Sequence, residues 1–255
     1  MDIKTDIVIA GTGVGGLFCA LHLPRDKEIL LITKADLEDC DSYLAQGGIC
    51  VLKNEDDYDS YFEDTMRAGH YENNKESVDI MIRSSRDIIN ELIDCGVDFE
   101  RNPDGSLAFT KEGAHSTPRI LFHEDITGRE IISKLLEKVK RLPNVKIMER
   151  FTMVDIIEDN GRCAGIIGKH SNSAMTAVYA DYTVFATGGI GGLYKQSTNF
   201  PHLTGDALAI SIKHGIELLH IDYIQIHPTT LYSKKKGRCF LISESVRGEG
   251  AILLN

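Results

Sequence analysis

A glycine-rich turn directly after a short apolar segment constrains the fold of this chain more than any other feature. Residues 7–10 read Ile-Val-Ile-Ala, residues 11–16 follow the pattern G-x-G-x-x-G, and an apolar stretch then runs to Pro24. Strand, tight turn and helix in this order are typical of dinucleotide sites, because glycine permits the turn and lets backbone approach a pyrophosphate. The first helical N–H groups then stabilise the phosphates. The predicted contacts are Gly11, Thr12, Gly13, Val14, Gly15 and Gly16, and the alternative is a structural glycine turn.

Composition and charge exclude several classes of protein. The chain has 255 residues, of which 42% are hydrophobic and 26% charged, enough for one large domain or two smaller ones. A net charge of -10 argues against nucleic-acid binding. Residues 7–24 are uncharged, but their glycines, Pro24 and the preceding Asp2 and Asp6 argue against a membrane span or signal peptide. We therefore expect a cytoplasmic protein without membrane partners.

Cysteine spacing gives no sign of a metal centre. The six cysteines are at least ten residues apart and form no C-x-x-C pair, so we expect neither zinc nor an iron–sulfur cluster. Reduced, mostly buried thiols are the favoured interpretation.

The second predicted strand departs from the usual dinucleotide pattern. Residues 28–33 read as a buried parallel strand, but Thr33-Lys34 follows where an acidic residue often holds the ribose. Lys34 could bind phosphate or ribose oxygens, or be an exposed strand-end lysine. The remaining predicted elements are helices at residues 75–95, 127–142 and 205–215, a hairpin of 152–158 with 162–169, and a strand at 182–186.

A polar loop with paired glycines, residues 41–49, follows the second strand. Its glycines favour backbone lying against something flat or bulky, the alternative being a plain turn. The sequence A-Q-G-G-I in this position resembles the flavin loop of the succinate dehydrogenase, fumarate reductase and L-aspartate oxidase flavoprotein family. The resemblance implies FAD, with Asp41, Ser42, Tyr43, Leu44, Ala45, Gln46, Gly47 and Gly48 cradling the isoalloxazine. Further expected cofactor contacts are Lys34, Met153, Val154, Thr187, Gly188, Gly189 and Asp206.

The family resemblance also implies a domain layout. It predicts an α/β fold with a Rossmann-type parallel sheet, an inserted β-meander and the start of a capping domain. Residues 1–221 would form the FAD-binding domain without its C-terminal return segment, and residues 222–255 would begin the substrate-capping domain. On this reading the 255 residues alone lack part of the substrate clamp and are expected to be inactive.

Three further polar segments carry the prediction of activity: E-G-A-H-S from Glu112, Q-I-H-P-T from Gln225, and E-S-V-R-G-E-G-A, which contains Arg247. Taken singly, a histidine before proline is more often structural, the last segment could be a turn with an ion pair, and Glu112 could cap a nearby loop. By resemblance, Glu112, Gln225 and His227 would bind substrate and Arg247 would be the proton donor or acceptor. Ala114 stands where the family usually has a second glycine.

Within the family, these motifs most resemble members that oxidise L-aspartate to iminoaspartate, with oxygen or fumarate as electron acceptor. That reaction is the first step of bacterial de novo NAD synthesis, with quinolinate synthase acting downstream. Glu112 favours an amino-acid substrate, because a carboxylate attracts an ammonium group but repels a plain dicarboxylate. Arginine is normally protonated, so an electrostatic clamp is the safer role for Arg247.

Two alternatives stay open from sequence. A fumarate reductase or succinate dehydrogenase flavoprotein shares most of these motifs, but respiratory members commonly carry a flavin-linking histidine where this chain has Asp41. We therefore expect noncovalent FAD. A non-catalytic dinucleotide-binding sensor would use the glycine turn without Glu112, His227 and Arg247.

Overall fold

A computed structural model describes residues 2–171, 173–227, 229–232, 234, 237–243, 246, 250–252 and 254. Two compact units divide the chain: residues 1–43 with 135–241 form the first unit, and residues 44–134 with 242–255 form the second. None of the helices in the described ranges combines the length and apolar character that a membrane crossing requires.

The strands and helices follow one another in mixed order along the chain. They are β1 (Ile3–Ala10), α1 (Val14–His22), β2 (Ile29–Ile32), α2 (Asp41–Leu44), β3 (Ile49–Cys50), α3 (Tyr58–Ala68), α4 (Lys75–Asp94), β4 (Ile120–Leu121), α5 (Thr127–Lys140), β5 (Val145–Met148), β6 (Phe151–Asp159), β7 (Arg162–His170), β8 (Thr176–Phe185), α6 (Asp206–Lys213), β9 (Thr230–Leu231) and β10 (Phe240–Leu241). Short 3-10 helices occupy Glu55–Asp57 and Gly191–Leu193.

A six-stranded sheet in the order β5-β2-β1-β8-β7-β6 is the framework of the first unit. Strands β5, β2, β1 and β8 are parallel, whereas β6, β7 and β8 form an antiparallel meander. All four residues of β2 are buried, as expected for a parallel strand covered on both faces. The α/β class and the inserted meander predicted from sequence are confirmed.

Local signals located the ends of several elements correctly. The β6–β7 hairpin turns at Asn160 and Gly161, whose φ angles of 50° and 74° match the left-handed conformation that an Asn-Gly turn requires. Helix α4 is capped by Asn74, whose side chain accepts from Ser77 N at 3.0 Å. It ends before Gly96, which has φ +98°.

Two predictions from sequence were wrong in detail. Strand β8 begins at Thr176 rather than at Tyr182, because Val178 pairs with both β1 and β7 and Ala180 pairs with β1, and the two alternate with exposed residues. Residues 41–44, predicted as loop, form the short helix α2, in which Tyr43 N donates to Cys40 O at 3.0 Å.

Cysteine burial also differs from the prediction. None of the six cysteines, all within the described residues, forms a disulfide; only Cys239 is buried, whereas Cys163 is exposed and the other four are half-buried. The β6–β7 hairpin leaves Cys163 near its turn, where a meander strand meets solvent.

Each unit has a hydrophobic core of its own. In the first unit, buried residues from β1, β2, β6, β7 and β8 pack with Ala207 and Ile210 of α6. In the second unit, α3 and α4 pack together around Tyr61, Met66 and Ile82. The second unit also contains a two-stranded antiparallel sheet, formed by β3 and β4.

Candidate functional site

The first unit contains a cavity of about 400 Å³ at the carboxyl ends of β1, β2 and β8. In open α/β sheets this edge is where ligands bind, and the volume falls within the ordinary range for ligand pockets. Thirteen residues predicted to contact a cofactor line it: Gly11, Thr12, Gly13, Val14, Gly15, Lys34, Asp41, Ser42, Met153, Thr187, Gly188, Gly189 and Asp206.

The glycines of the turn serve different purposes. A Cβ on Gly11, which has φ +119°, would lie 2.0 Å from Ala186 O, and a Cβ on Gly16 would lie 2.0 Å from Gly11 O. These two glycines are therefore required for packing of the turn, and Gly16 does not line the cavity. Gly15 and Gly189 have no atom within 4 Å of an added Cβ. The wall of the cavity is therefore open where they face it.

The amino end of α1 gives the cavity an anion-binding character. Helix α1 starts at Val14 and has no acidic residue in its first turn. Val14 N donates to Ser42 Oγ at 3.2 Å, so α2 closes one side of the turn. N–H groups and the positive dipole end at the start of a helix favour an anion such as a phosphate.

Lys34 is paired inside the cavity and is not the exposed lysine of the alternative interpretation. Its Nζ lies 2.7 Å from Asp206 Oδ2 and 2.8 Å from Thr204 Oγ1, and Thr204 donates to Asp206 Oδ1 at 2.7 Å. Both charged side chains are less than one-third exposed. The cluster presents a donor and an acceptor side by side, which suits a group such as a ribose hydroxyl that can both donate and accept.

Asp41 uses its carboxylate to hold a neighbouring segment. It accepts a hydrogen bond from Phe200 N at 3.0 Å and another from the Asn199 side chain. Burial raises the pKa of the Asp41 carboxyl above its ordinary value, although these hydrogen bonds oppose the shift. An aspartate at this position cannot form a histidyl link to a flavin.

Other predicted cofactor contacts do not line this cavity. Tyr43 lies within α2, and Val154 is 40% exposed on the strand face opposite Met153. Leu44, Ala45, Gln46, Gly47 and Gly48 belong to the second unit. Their contacts with a cofactor stay predictions.

In the second unit, Glu112 lies against the paired glycines. Its Oε1 accepts a hydrogen bond from Gly48 N at 3.0 Å, and an added Cβ on Gly47 would be 2.7 Å from the same oxygen. An added Cβ on Gly48 would be 2.2 Å from Leu121 O. Packing against the backbone of β4 is therefore sufficient to require Gly48, whereas at Gly47 the added Cβ would meet only the end of the Glu112 side chain.

A buried ionic cluster, which was not predicted from the sequence, anchors the loop that contains Glu112. Arg119 is fully buried, donates to both carboxylate oxygens of Asp57 at 2.8 and 3.1 Å, and donates to Asp64 Oδ2 at 2.6 Å. Asp64 also accepts from Ser116 N and Oγ at 2.6 and 2.7 Å, which anchors the 112–116 loop. The available signal was the seven-residue spacing of the two aspartates, which places both on one helical face.

The cluster holds Asp64 in its charged form. Burial raises the pKa of Asp64, but hydrogen bonds from Ser116, Arg119 and Arg67 outweigh burial and leave it well below its usual range. Arg119 also bonds to His115 Nδ1 at 3.2 Å. Because a guanidinium can only donate, Nδ1 is the acceptor in this contact.

The predicted substrate residues near the C-terminal end are only partly described. Gln225 is exposed, and His227 Nδ1 accepts from Thr229 N at 3.2 Å in a local turn. Neither lines the cavity of the first unit. Arg247 lies outside the described residues, as do most of the residues of its motif.

Comparison with known proteins identifies relatives over the whole chain. Residues 6–255 match the family model described as FAD binding domain. The chain is 49% identical to the L-aspartate oxidase of Clostridium perfringens, covering 100% of this chain and 58% of that protein. It is 36% identical to the L-aspartate oxidase of Bacillus subtilis, covering 99% and 47%. It therefore spans about half the length of these curated relatives.

A solved structure shares the fold closely. A variant of the E. coli quinol fumarate reductase flavoprotein superimposes with a TM-score of 0.93 at 28% sequence identity. The match covers 100% of this chain and 44% of the fumarate reductase chain.

Proposed function

This chain belongs to the FAD binding domain family of flavoprotein oxidoreductases, and we propose that the protein containing it oxidises L-aspartate to iminoaspartate. Oxygen or fumarate would accept the electrons, and the reaction would be the first step of NAD biosynthesis. The proposal is supported by sequence similarity, over nearly the full length of this chain, to proteins named L-aspartate oxidase.

The residues present in the first unit fit FAD. The amino end of α1 would hold the pyrophosphate, Lys34 and Asp206 would contact the ribose side, and the open space beside Gly15 and Gly189 leaves room for the cofactor. FAD accepts a hydride when bound. Asp41 supports noncovalent attachment, because its carboxylate replaces the histidine needed for a covalent link.

The substrate side would be provided by side chains of opposite charge. Arg247 and His227 would clamp carboxylates, Gln225 would donate to them, and residues from 222 onward would begin the capping domain. Exposed apolar side chains at Tyr223 and Ile226 support this boundary, because such a surface calls for a covering structure.

The position and charge of the Glu112 carboxylate are the observation that favours L-aspartate as the substrate. Its carboxylate is held in place by Gly48 N in the second unit. An ammonium about 4 Å away would gain roughly 4 kcal/mol at an effective dielectric of 20, before desolvation costs. Fumarate or succinate would instead meet a repelling charge. The fumarate reductase alternative is supported by the fold similarity alone.

The deciding experiment removes this charge while keeping the shape of the side chain. In the full-length, FAD-loaded protein, Glu112→Gln should lower kcat/KM for L-aspartate by roughly 30- to 1,000-fold, because a charge-assisted contact is lost. Activity with fumarate should be retained or rise, because the charge that repels a dicarboxylate is removed. Both substrates are assayed on preparations of matched melting temperature, with Lys111→Ala as the control for disturbance of the loop. Equal losses with both substrates would refute the ammonium role.

A further inference from the structure

We propose that Glu112 is also a positioning residue for the flavin loop: its carboxylate holds the backbone of Gly47 and Gly48 in the shape that FAD binding requires. The proposal rests on the proposed function only in assigning residues 44–48 to the flavin. It adds a role that does not depend on which substrate is bound.

The carboxylate of Glu112 contacts the loop along its backbone. Oε1 accepts from Gly48 N at 3.0 Å, and the site of a Cβ on Gly47 lies 2.7 Å from Oε1 and 3.2 Å from Oε2. The absence of a side chain at Gly47 allows the whole carboxylate to lie flat against the chain.

Both partners of this contact are anchored on the same strand. Residues Ile49 and Cys50, directly after Gly48, pair with β4. On the other side, Thr110 and Ile120 exchange backbone hydrogen bonds of 2.9 and 3.1 Å, which closes the base of the segment containing Glu112. The position of Glu112 relative to the loop is therefore set by β4.

The far side of the Glu112 segment is fixed as well. Ala114 has φ +69°, a left-handed conformation that turns the chain sharply, and Ser116 is bonded twice to the buried Asp64. Because Asp64 is also held by Arg119, the segment has little freedom to move away from the loop. Glu112 thus connects two hydrogen-bonded parts of the second unit.

Three substitutions distinguish the effect of the position of the Glu112 carboxylate from the effect of its charge. Glu112→Gln removes the charge but retains a carbonyl oxygen that can accept from Gly48 N. Glu112→Ala removes the acceptor altogether. Gly47→Ala keeps the charge but displaces the carboxylate, since only the far end of the Glu112 side chain meets the added Cβ. Lys111→Ala, at the exposed neighbouring position, is the matched control.

The test measures FAD binding by the full-length protein without substrate, using flavin fluorescence for the dissociation constant and the visible spectrum for the flavin environment. Glu112→Ala and Gly47→Ala should each weaken FAD binding at least about fivefold and alter the spectrum, since the half-buried N–H of Gly48 loses its acceptor. Glu112→Gln and Lys111→Ala should stay within about twofold of wild type.

Two results would overturn the proposal: wild-type FAD binding and spectrum in both Glu112→Ala and Gly47→Ala, or a loss in Glu112→Gln as large as that in Glu112→Ala. If Glu112→Ala does not fold, Gly47→Ala decides alone, with wild-type binding overturning the proposal. A wild-type protein that binds FAD but does not oxidise L-aspartate would refute the proposed function, yet the comparison of FAD binding would still decide this inference.

Discussion

Lys34 shows how a single side chain can set the polarity of a cofactor cavity. It bridges Thr204 and Asp206 at the end of β2. Lys34→Met would leave the Asp206 carboxylate without its cationic partner where a negatively charged cofactor is expected, and should weaken FAD binding by roughly 10- to 100-fold. Titration by flavin fluorescence checks this, with Lys146→Met on the exposed end of β5 as control. Equal affinity in both variants would exclude Lys34 from the site.

Asp64 should make the stability of the second unit depend on pH in the acid range. Its pKa lies below the unfolded value of about 3.9, so its contribution to stability is present above that pH and is lost as the pH falls through the lower folded-state pKa. Asp64→Asn should lower the free energy of unfolding at pH 7 by about 3 kcal/mol. It should also flatten the pH dependence of that free energy below about pH 4.

The control for Asp64 lies on the same helix. Asp59 is exposed, so Asp59→Asn should change neither stability nor its acid dependence by more than about 0.5 kcal/mol. Chemical denaturation at a series of pH values measures both variants. A slope for Asp64→Asn identical to that of wild type would contradict the assignment.

At the scale of elements, Gly15 and Gly16 of α1 have different roles. Gly16 is needed for packing of the helix, whereas Gly15 leaves space for a ligand. Gly16→Ala places a Cβ 2.0 Å from Gly11 O, so α1 must move off β1. The unliganded protein should lose at least about 2 kcal/mol of stability. Gly15→Ala meets no atom within 4 Å and should leave this stability unchanged or improve it by up to about 1 kcal/mol.

For FAD binding, the informative substitution of the two is Gly15→Ala rather than Gly16→Ala. Because Gly15 lines the cavity, its added methyl group should weaken FAD binding in a protein that is still fully folded. Melting of the unliganded variants and FAD titration together measure the two effects. If Gly15→Ala bound FAD as tightly as wild type, Gly15 would not approach the cofactor.

At the scale of the whole molecule, the mode of cofactor attachment is the property to test. Asp41 uses its carboxylate on Phe200 N and Asn199, and a carboxylate there provides no histidyl link. Acid precipitation of the full-length protein should therefore release all of its FAD to the supernatant. The absorbance of both fractions measures this outcome, and yellow colour retained by the washed pellet would contradict it.

Short-range signals in the sequence were sufficient to predict the parallel sheet, the hairpin and several helix ends. The turn at Gly11 and the hairpin at Asn160 depend on the backbone preferences of a few adjacent residues, and those preferences are properties of residue type. The cofactor was indicated in the same way, by a glycine pattern between a strand and a helix. Thr176 as the start of β8 was missed, because its pairing depends on β7 and β1.

Within each unit, the pairing of the candidate site residues was decided by the tertiary structure alone. Lys34 and Asp206 are 172 positions apart, Glu112 and Gly48 are 64 apart, and Arg119 and Asp57 are 62 apart. A charged residue type is compatible with an exposed position as well as with a buried pair, and only the fold determines whether a partner comes within hydrogen-bonding distance. The sequence by itself determined which chemical groups the site could use, and the packing of the sheet and of β4 decided which of them meet.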